Sequence, residues 1–210
     1  MKNVLAIVGA GVLGQHIAHY AKLTGKFSKF VFFDDTVEIG FENKFGIVIG
    51  KTSDINRYIK AEEIQHLLIG IGYKHMEVRE SIYDQFVALI KFPNIIHQSC
   101  YIDNSSLIGN GNVILPGCII DRGSVVGNNI FFNPGCIISH DNTINDHTFF
   151  GPGVKTSGFV RIGSCCFFGT GTNIIDNITI GDYIKTGAGT LITKSLIEPG
   201  NYRGIPGRKS

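Results

Sequence analysis

The sequence has no tryptophan, little charge and no long apolar run. Charged residues make up 17% of its 210 residues, and the net charge is only +2. Because there is no block of like charges, neither nucleic acid nor an anionic membrane surface is an expected partner. No apolar stretch reaches the roughly 18 residues that a membrane-spanning helix needs. The start, MKNVLAIVGAGVLG, is too short and too broken by glycine for a signal peptide, which predicts a cytoplasmic protein.

The five cysteines give no sign of a disulfide framework. Their number is odd, which is atypical of a secreted disulfide-rich domain. Cys100, Cys118 and Cys136 are spaced 18 residues apart, which fits either a ladder of metal ligands or a column of small buried thiols. Cys165 and Cys166 are adjacent and lack the paired spacing of a zinc site. We therefore predict buried, reduced thiols and no bound metal.

Hydrophobic residues, at 43%, and glycine, at 27 residues, are abundant instead, and an internal repeat orders them. From Ile95 to Leu196 the chain divides without insertion into 17 hexads. The second position is Ile, Val or Phe in 15 of them, the exceptions being Thr156 and Thr186. Neither an α-helix nor a simple strand keeps one apolar face at a period of six. The pattern predicts a left-handed parallel β-helix with 18 residues per coil, in a domain of residues 93–210.

Glycine recurs at the corners of the predicted coils. The dipeptide Pro116-Gly117 repeats at 18-residue intervals, as a stacked turn requires. A second column runs through Gly109, Gly127 and Gly163. Since glycine tolerates left-handed backbone, we expect left-handed conformations in this second column.

Residues 1–92 are predicted to form a small α/β domain that binds a nucleotide. The apolar run VLAIV is followed by the loop GAGVLG, a helical stretch, and the run FVFF, which ends in two acids. This is the order of a dinucleotide-binding fold, whose glycines let phosphate approach a helix N-terminus. Because about 90 residues are too few for the complete sheet, we expect half of that fold, one nucleotide and no NAD. The alternative is that the glycines only make a tight turn.

His140 is the candidate catalytic residue. It takes the fourth position of its hexad, an outward corner, and Gly158 lies one coil further in the same column. Because glycine has no side chain, we expect a notch beside the imidazole and an accessible backbone N–H. Acyl transfer to an amine needs a base for the proton and a donor for the oxyanion. Asp141 is placed to orient the imidazole. The alternative is a surface histidine without a role.

The two halves together resemble the bacterial nucleotide-sugar N-acetyltransferases. The resemblance covers nearly the whole chain and is carried by the motifs GxGxxG, FFDD, IGxG, HxSCYI, ISHD, GPGxxxSGxVxIG, GTG, TGAG and GIPG. These enzymes acetylate UDP- or dTDP-linked 4-amino-4,6-dideoxysugars and are related to sialic acid O-acetyltransferases. The resemblance implies a homotrimer with acetyl-CoA in a cleft between neighbouring β-helices. It also implies a nucleotide sugar on the N-terminal domain, with its amine directed at the catalytic histidine.

The resemblance assigns a role to each matching residue. His140 and Asp141 correspond to the general base and its acidic partner, and the Gly158 N–H to the thioester contact. The residues implied for the nucleotide sugar are Gly9, Gly11, Gly14, Asp34, Asp35 and Gly72. Those implied for acetyl-CoA are Phe149, Gly158, Gly187, Ala188 and Arg208. Two departures stand out: many members have a histidine where this chain has Phe149, and the segment GYKHMEVR is longer than its commoner form.

These observations predict an acetyl-CoA-dependent N-acetyltransferase of a nucleotide-linked aminosugar, for the synthesis of bacterial surface glycans. His140 removes a proton from the attacking amine, and no cysteine or acyl-enzyme is required. One alternative is O-acetylation of a sialic-acid-type sugar, in which the same base activates a hydroxyl. Another is a non-catalytic trimer that only binds a nucleotide. The sequence does not specify UDP, dTDP or GDP.

Overall fold

The computed structural model describes residues 3–209 and shows two compact units. The first unit ends at Ile95 and the second begins at Ile96. The sequence places this boundary slightly earlier, between residues 92 and 93. No helix within residues 3–209 is long and apolar enough to cross a membrane.

The first unit is a parallel sheet of four strands in the order β3-β2-β1-β4. Its elements are β1 Val4–Val8, α1 Val12–Leu23, β2 Lys29–Phe33, β3 Ile47–Gly50, α2 Ile55–Lys60, β4 His66–Ile69 and α3 Met76–Phe86, with 3₁₀ turns at Thr52–Asp54 and Tyr73–His75. Every residue of β1 is buried, which explains its continuous apolar run. The predicted half of a dinucleotide-binding fold is confirmed.

The second unit is a left-handed β-helix of three parallel sheets. Strands in one sheet pair with the strand 18 residues away, as in the register Phe132 to Phe150. The strands are β5 Ile95–Ile96, β6 Tyr101–Ile102, β7 Leu107–Ile108, β8 Val113–Ile114, β9 Ile119–Ile120, β10 Val125–Val126, β11 Phe131–Phe132, β12 Ile137–Ile138, β13 Thr143–Ile144, β14 Phe149–Phe150, β15 Lys155–Thr156, β16 Arg161–Ile162, β17 Phe167–Phe168, β18 Asn173–Ile174, β19 Thr179–Ile180, β20 Ile184–Thr186, β21 Leu191–Ile192, β22 Gly200–Arg203 and β23 Arg208–Lys209.

The second residue of each hexad points inward and builds the core of the β-helix. On one sheet Phe132, Phe150 and Phe168 are fully buried and stack, with ring centroids 4.6 and 5.2 Å apart. Cys118, Cys136 and Cys166 fill small positions of this core, and all five cysteines are free. The Cys118 thiol, for example, donates a hydrogen bond to the Asn133 carbonyl at 3.1 Å. Four of the five thiols are buried as predicted, whereas Cys100 is partly exposed, and their reduced state stays a prediction.

Left-handed backbone occurs at the fifth hexad position and not at the third. Gly117 has φ +73°, and the non-glycine residue Asp141 shares this conformation with φ +57°. Gly109 belongs to the third position and does not have a positive φ. A Cβ on Gly109 would lie 2.5 Å from the Gly127 carbonyl oxygen. The expectation of left-handed backbone in this column is wrong, because glycine is needed there for the close approach of the next coil.

Candidate active site

The turn between β12 and β13 carries the His140–Asp141 pair. His140 Nδ1 lies 2.9 Å from Asp141 Oδ2, and the two side chains are 37% and 31% exposed. When Nδ1–H donates to this carboxylate, the imidazole lone pair is on Nε2. Arg122 Nη2 lies 3.8 Å from the same Asp141 oxygen, but its side chain is 66% exposed, so this ion pair is weak. The pair therefore presents Nε2 as a proton acceptor.

Gly158 lies in contact with the imidazole of His140. A Cβ on Gly158 would lie 2.5 Å from His140 Cε1 and 2.8 Å from Nε2. The space that was expected to be a notch is thus filled by the imidazole itself. Glycine is still required at this position, because a side chain would occupy the space of the imidazole ring. Within residues 3–209 the Gly158 N–H donates no hydrogen bond, and the residue is buried close to the imidazole.

Phe159 holds the imidazole from another side. Its ring meets the His140 ring edge-on, with centroids 5.2 Å apart and an interplanar angle of 86°. The Phe159 N–H also donates to the His140 carbonyl at 3.3 Å. Edge-to-face aromatic pairs are favourable beyond their buried area. Sequence reasoning missed this residue, although a large aromatic residue directly after the candidate glycine, 53% exposed in the structure, was the available signal.

The predicted nucleotide glycines of the first unit fall into two kinds. Gly9 has φ +98°, and a Cβ on it would lie 2.9 Å from the Gly70 carbonyl oxygen. A Cβ on Gly14 would overlap the Gly9 carbonyl oxygen. Gly11 and Gly72 instead have open space where a Cβ would be. The fold itself requires the first two, whereas the last two leave room for a ligand.

Both predicted acids already accept hydrogen bonds within the first unit. Asp34 Oδ2 accepts the Ala10 N–H at 2.8 Å, which fixes the glycine loop. Asp34 Oδ1 accepts the N–H and hydroxyl of Thr36, each at 2.8 Å, and the Val37 N–H at 3.0 Å. Asp35 accepts the Thr52 N–H at 2.8 Å and its hydroxyl at 2.7 Å. The acids therefore build the loops of this edge, and binding of the nucleotide by them stays a prediction.

Phe149 is poorly placed for the predicted contact with acetyl-CoA. The residue is 7% exposed, and its ring stacks on Phe131 at a centroid distance of 4.8 Å. A side chain with so little free surface offers almost nothing to a coenzyme, so the geometry argues against this assignment. The phenylalanine acts as a packing residue.

Of the other residues predicted for acetyl-CoA, Gly158 is buried, whereas Gly187, Ala188 and Arg208 are exposed. Gly187 and Ala188 lie in the turn after β20. Arg208 lines a cavity of about 410 Å³ together with Lys194 and Lys209. Lys209 is paired with Glu198 at 2.8 Å. This end of the β-helix thus gathers three cations around one cavity.

Comparison with known proteins agrees with both units. Residues 4–86 match the family of the PglD N-terminal domain. The acetyltransferase domain of PglB from Neisseria gonorrhoeae FA1090, solved alone and in complex with acetyl coenzyme A, is 28% identical, with 100% of each chain covered and a TM-score of 0.91. The chain is a hexapeptide-repeat acetyltransferase.

Two further solved structures share the fold of this acetyltransferase. PerB from Caulobacter crescentus, in complex with CoA and GDP-perosamine, is 21% identical, with 100% of this chain and 98% of that chain covered and a TM-score of 0.89. WeeI from Acinetobacter baumannii AYE is 21% identical, with 100% of each chain covered and a TM-score of 0.87. No curated protein matches the sequence.

The Cys166 thiol of the acetyltransferase is buried and held in its unreactive form. Burial raises the pKa of the Cys166 thiol to about 12, and the thiolate is the reactive form of cysteine. No group of three His, Cys, Asp or Glu side chains able to hold a metal occurs within residues 3–209.

Proposed function

We propose that this acetyltransferase moves the acetyl group of acetyl-CoA to the 4-amino group of a nucleotide-linked dideoxysugar, in the synthesis of bacterial surface glycans. The observation that carries the proposal is His140, whose Nδ1 faces Asp141 while its Nε2 lies beside Gly158. The complex of the PglB domain with acetyl coenzyme A supports the donor. The GDP-perosamine in PerB brings a third nucleotide, GDP, into consideration beside UDP and dTDP.

The reaction needs one proton acceptor and one oxyanion donor. The sugar amine attacks the thioester carbonyl carbon, and His140 Nε2 accepts a proton from the nitrogen. The Gly158 N–H stabilises the negative oxygen of the tetrahedral intermediate. When the carbon–sulfur bond breaks, the CoA thiolate leaves and takes up the proton. Asp141 holds the imidazole in the reactive tautomer.

Acetyl-CoA is proposed to lie along the last coils of the β-helix. Ala188 is exposed there and offers its backbone groups to the pantetheine amides, whereas the N–H of the exposed Gly187 already donates to the Tyr202 carbonyl at 2.9 Å. Glu198 lines the cavity at this end of the β-helix and is paired with Lys209, so Lys194 and Arg208 are the cations proposed to bind the CoA phosphates.

The nucleotide is proposed to bind where α1 begins. Gly11 precedes this helix without a side chain that caps it, so helix N–H groups are available to phosphate. Asp35 is exposed, and each of its oxygens accepts only one hydrogen bond, which leaves acceptor sites for ribose hydroxyls.

A homotrimer is proposed from the exposed apolar residues of the first coils. Leu107 and Tyr101 point outward and are 67% and 57% exposed, with Val125 and Ile119 one coil later at 42% and 39%. Such columns on two faces are typical of surfaces that another subunit covers. Light scattering on the purified protein measures the oligomeric state directly, and a monomer would contradict this part.

A thiol-release assay tests the reaction. The protein is mixed with acetyl-CoA, a thiol reporter and UDP-, dTDP- or GDP-linked 4-aminosugars in turn, with His140→Ala as the matched control. We expect release with at least one nucleotide sugar and a loss of about 10²–10⁴-fold in the variant. Absence of release with all three would refute the proposal. Release with a sialic-acid-type sugar would then identify an O-acetyltransferase, and nucleotide binding alone a non-catalytic trimer.

A further inference from the structure

The two threonines that interrupt the apolar inward column each form a buried polar pair. The Thr156 hydroxyl lies 2.9 Å from Asn142 Nδ2, and the two residues are 3% and 1% exposed. The Thr186 hydroxyl lies 2.8 Å from the Thr172 hydroxyl, with the same separation of 14 residues along the chain. A buried hydroxyl is costly without a partner. The departures from the repeat therefore mark places where a polar group inside the coil is needed.

Asn142 connects the turn of His140 with the turn of Gly158. Its Nδ2 group donates to the Ser139 carbonyl at 2.7 Å, within the turn that carries His140. The same nitrogen lies 3.0 Å from the Ser157 carbonyl, directly before Gly158. Its Oδ1 accepts the Val160 N–H at 2.7 Å, two residues after Gly158. One buried amide thus fixes the spacing between the turn that bears the imidazole and the turn on which the imidazole rests.

We propose that Asn142, supported by Thr156, is a positioning residue that holds the His140 imidazole against Gly158. This inference rests on the proposed role of His140 as the base. The amide reaches backbone on both sides of the site and acts only through the imidazole. A misplacement of about 1 Å in a catalytic group is enough to cost about 100-fold in rate. Loss of the amide is therefore expected to lower turnover while both substrates still bind.

Asn112 provides a matched control. It takes the same sixth hexad position, is fully buried, and makes the corresponding bonds in another turn. Its Nδ2 donates to the Gly127 carbonyl at 2.8 Å, and its Oδ1 accepts the Ile130 N–H at 2.8 Å. Replacement of either asparagine by valine leaves a buried N–H without an acceptor. Only Asn142 belongs to the turn that carries His140.

The experiment compares Asn142→Val with Asn112→Val. We expect both variants to melt at lower temperature than the parent. Asn142→Val should lose about 10- to 100-fold in kcat, with KM for both substrates within threefold, whereas Asn112→Val should keep kcat within threefold. Equal kcat in the two variants would overturn the inference, because the amide would then be structural only.

Thr156→Val keeps the test decisive if Asn142→Val fails to fold. Valine has the shape of threonine and restores the usual apolar inward residue, so the melting temperature should not fall. We expect kcat to fall about three- to tenfold and Thr156→Ser to recover it, because serine keeps the hydroxyl. Full activity of Thr156→Val, with Asn142→Val either unfolded or fully active, would overturn the inference.

A double variant separates this inference from the proposed function. If Asn142 acts through the imidazole, Asn142→Val should cost almost nothing further in a His140→Ala background. Full turnover of His140→Ala would refute the proposed function itself. A large loss in His140→Ala beside normal turnover in Asn142→Val would refute only the positioning role.

Discussion

Replacement of Gly158 by alanine is a perturbation whose size follows from the structure. The new Cβ would lie 2.5 Å from His140 Cε1, and ordinary contact begins at 3.4 Å, so the ring must move by about 0.9 Å. The φ of Gly158 lies outside the left-handed region, so alanine introduces no backbone strain. The variant therefore displaces the base and leaves the Gly158 N–H in place.

We expect Gly158→Ala to lower kcat strongly and to change the free energy of unfolding only slightly. A catalytic group misplaced by about 1 Å costs about 100-fold, so kcat of Gly158→Ala should fall by about that factor in the thiol-release assay. The His140 side chain is 37% exposed and can swing toward solvent. We therefore expect the free energy of unfolding to change by only about 1 kcal/mol, the low end for overpacking.

The double variant His140→Ala, Gly158→Ala is the control. Without the imidazole the added methyl group has room, so this protein should melt like His140→Ala and turn over at the same rate. A kcat of Gly158→Ala within threefold of the parent, measured on folded protein, would show that the position of the ring over Gly158 has no part in the reaction.

Three other measurements test separate parts of the account. His140→Ala should keep the melting temperature of the parent while kcat falls by about 10²–10⁴-fold, and retained turnover would exclude it as the base. Burial tends to raise the pKa of Asp34, but hydrogen bonds from Ala10, Thr36 and Val37 leave it below its ordinary value of 3.8. Its contribution to stability is therefore complete above that pH and lost below it, so Asp34→Asn should weaken the acid dependence of melting, and an unchanged acid dependence would contradict this. Since burial raises the pKa of Cys166 to about 12, that thiol should react with a disulfide reagent only after unfolding, and labelling of the folded protein would contradict this.

The architecture of the β-helix is predictable because one position in six, the second of each hexad, is almost always apolar. The inward position is apolar in 15 of the 17 hexads, so its period is visible without any other information. The backbone conformation at the corners is harder to predict, because glycine occurs there for two different reasons. Gly109 is needed for the close approach of the next coil, whereas Gly117 adopts a left-handed backbone. Asp141 adopts the same backbone as Gly117 without being glycine, so composition alone misassigns the corner.

The column arithmetic predicts that His140 and Gly158 are neighbours, since one coil separates them. It does not predict that the imidazole fills the space over the glycine, because that depends on a side-chain rotamer and on the bond to Asp141. The role of Asn142 is not predictable from the sequence for a related reason. The same position is Ser124 one coil earlier and a hydrophobic residue one coil later, so the repeat pattern does not indicate a special role for Asn142. Its role is visible only when its four hydrogen-bond partners are seen to lie on both sides of the site.

Asp34 and Asp35 are neighbours in one motif, but their hydrogen bonds suit them to different roles. The Asp34 carboxylate accepts four hydrogen bonds from its own unit, and a carboxylate has about four acceptor sites. Asp35 accepts two, one on each oxygen, and is exposed. Asp34 is therefore suited to hold the glycine loop in shape, while Asp35 retains the capacity to bind a hydroxyl. Gly9 and Gly14 shape the same loop, whereas Gly11 leaves it open. A ligand is consequently expected to meet Gly11 and Asp35, against a frame that Asp34 holds in place.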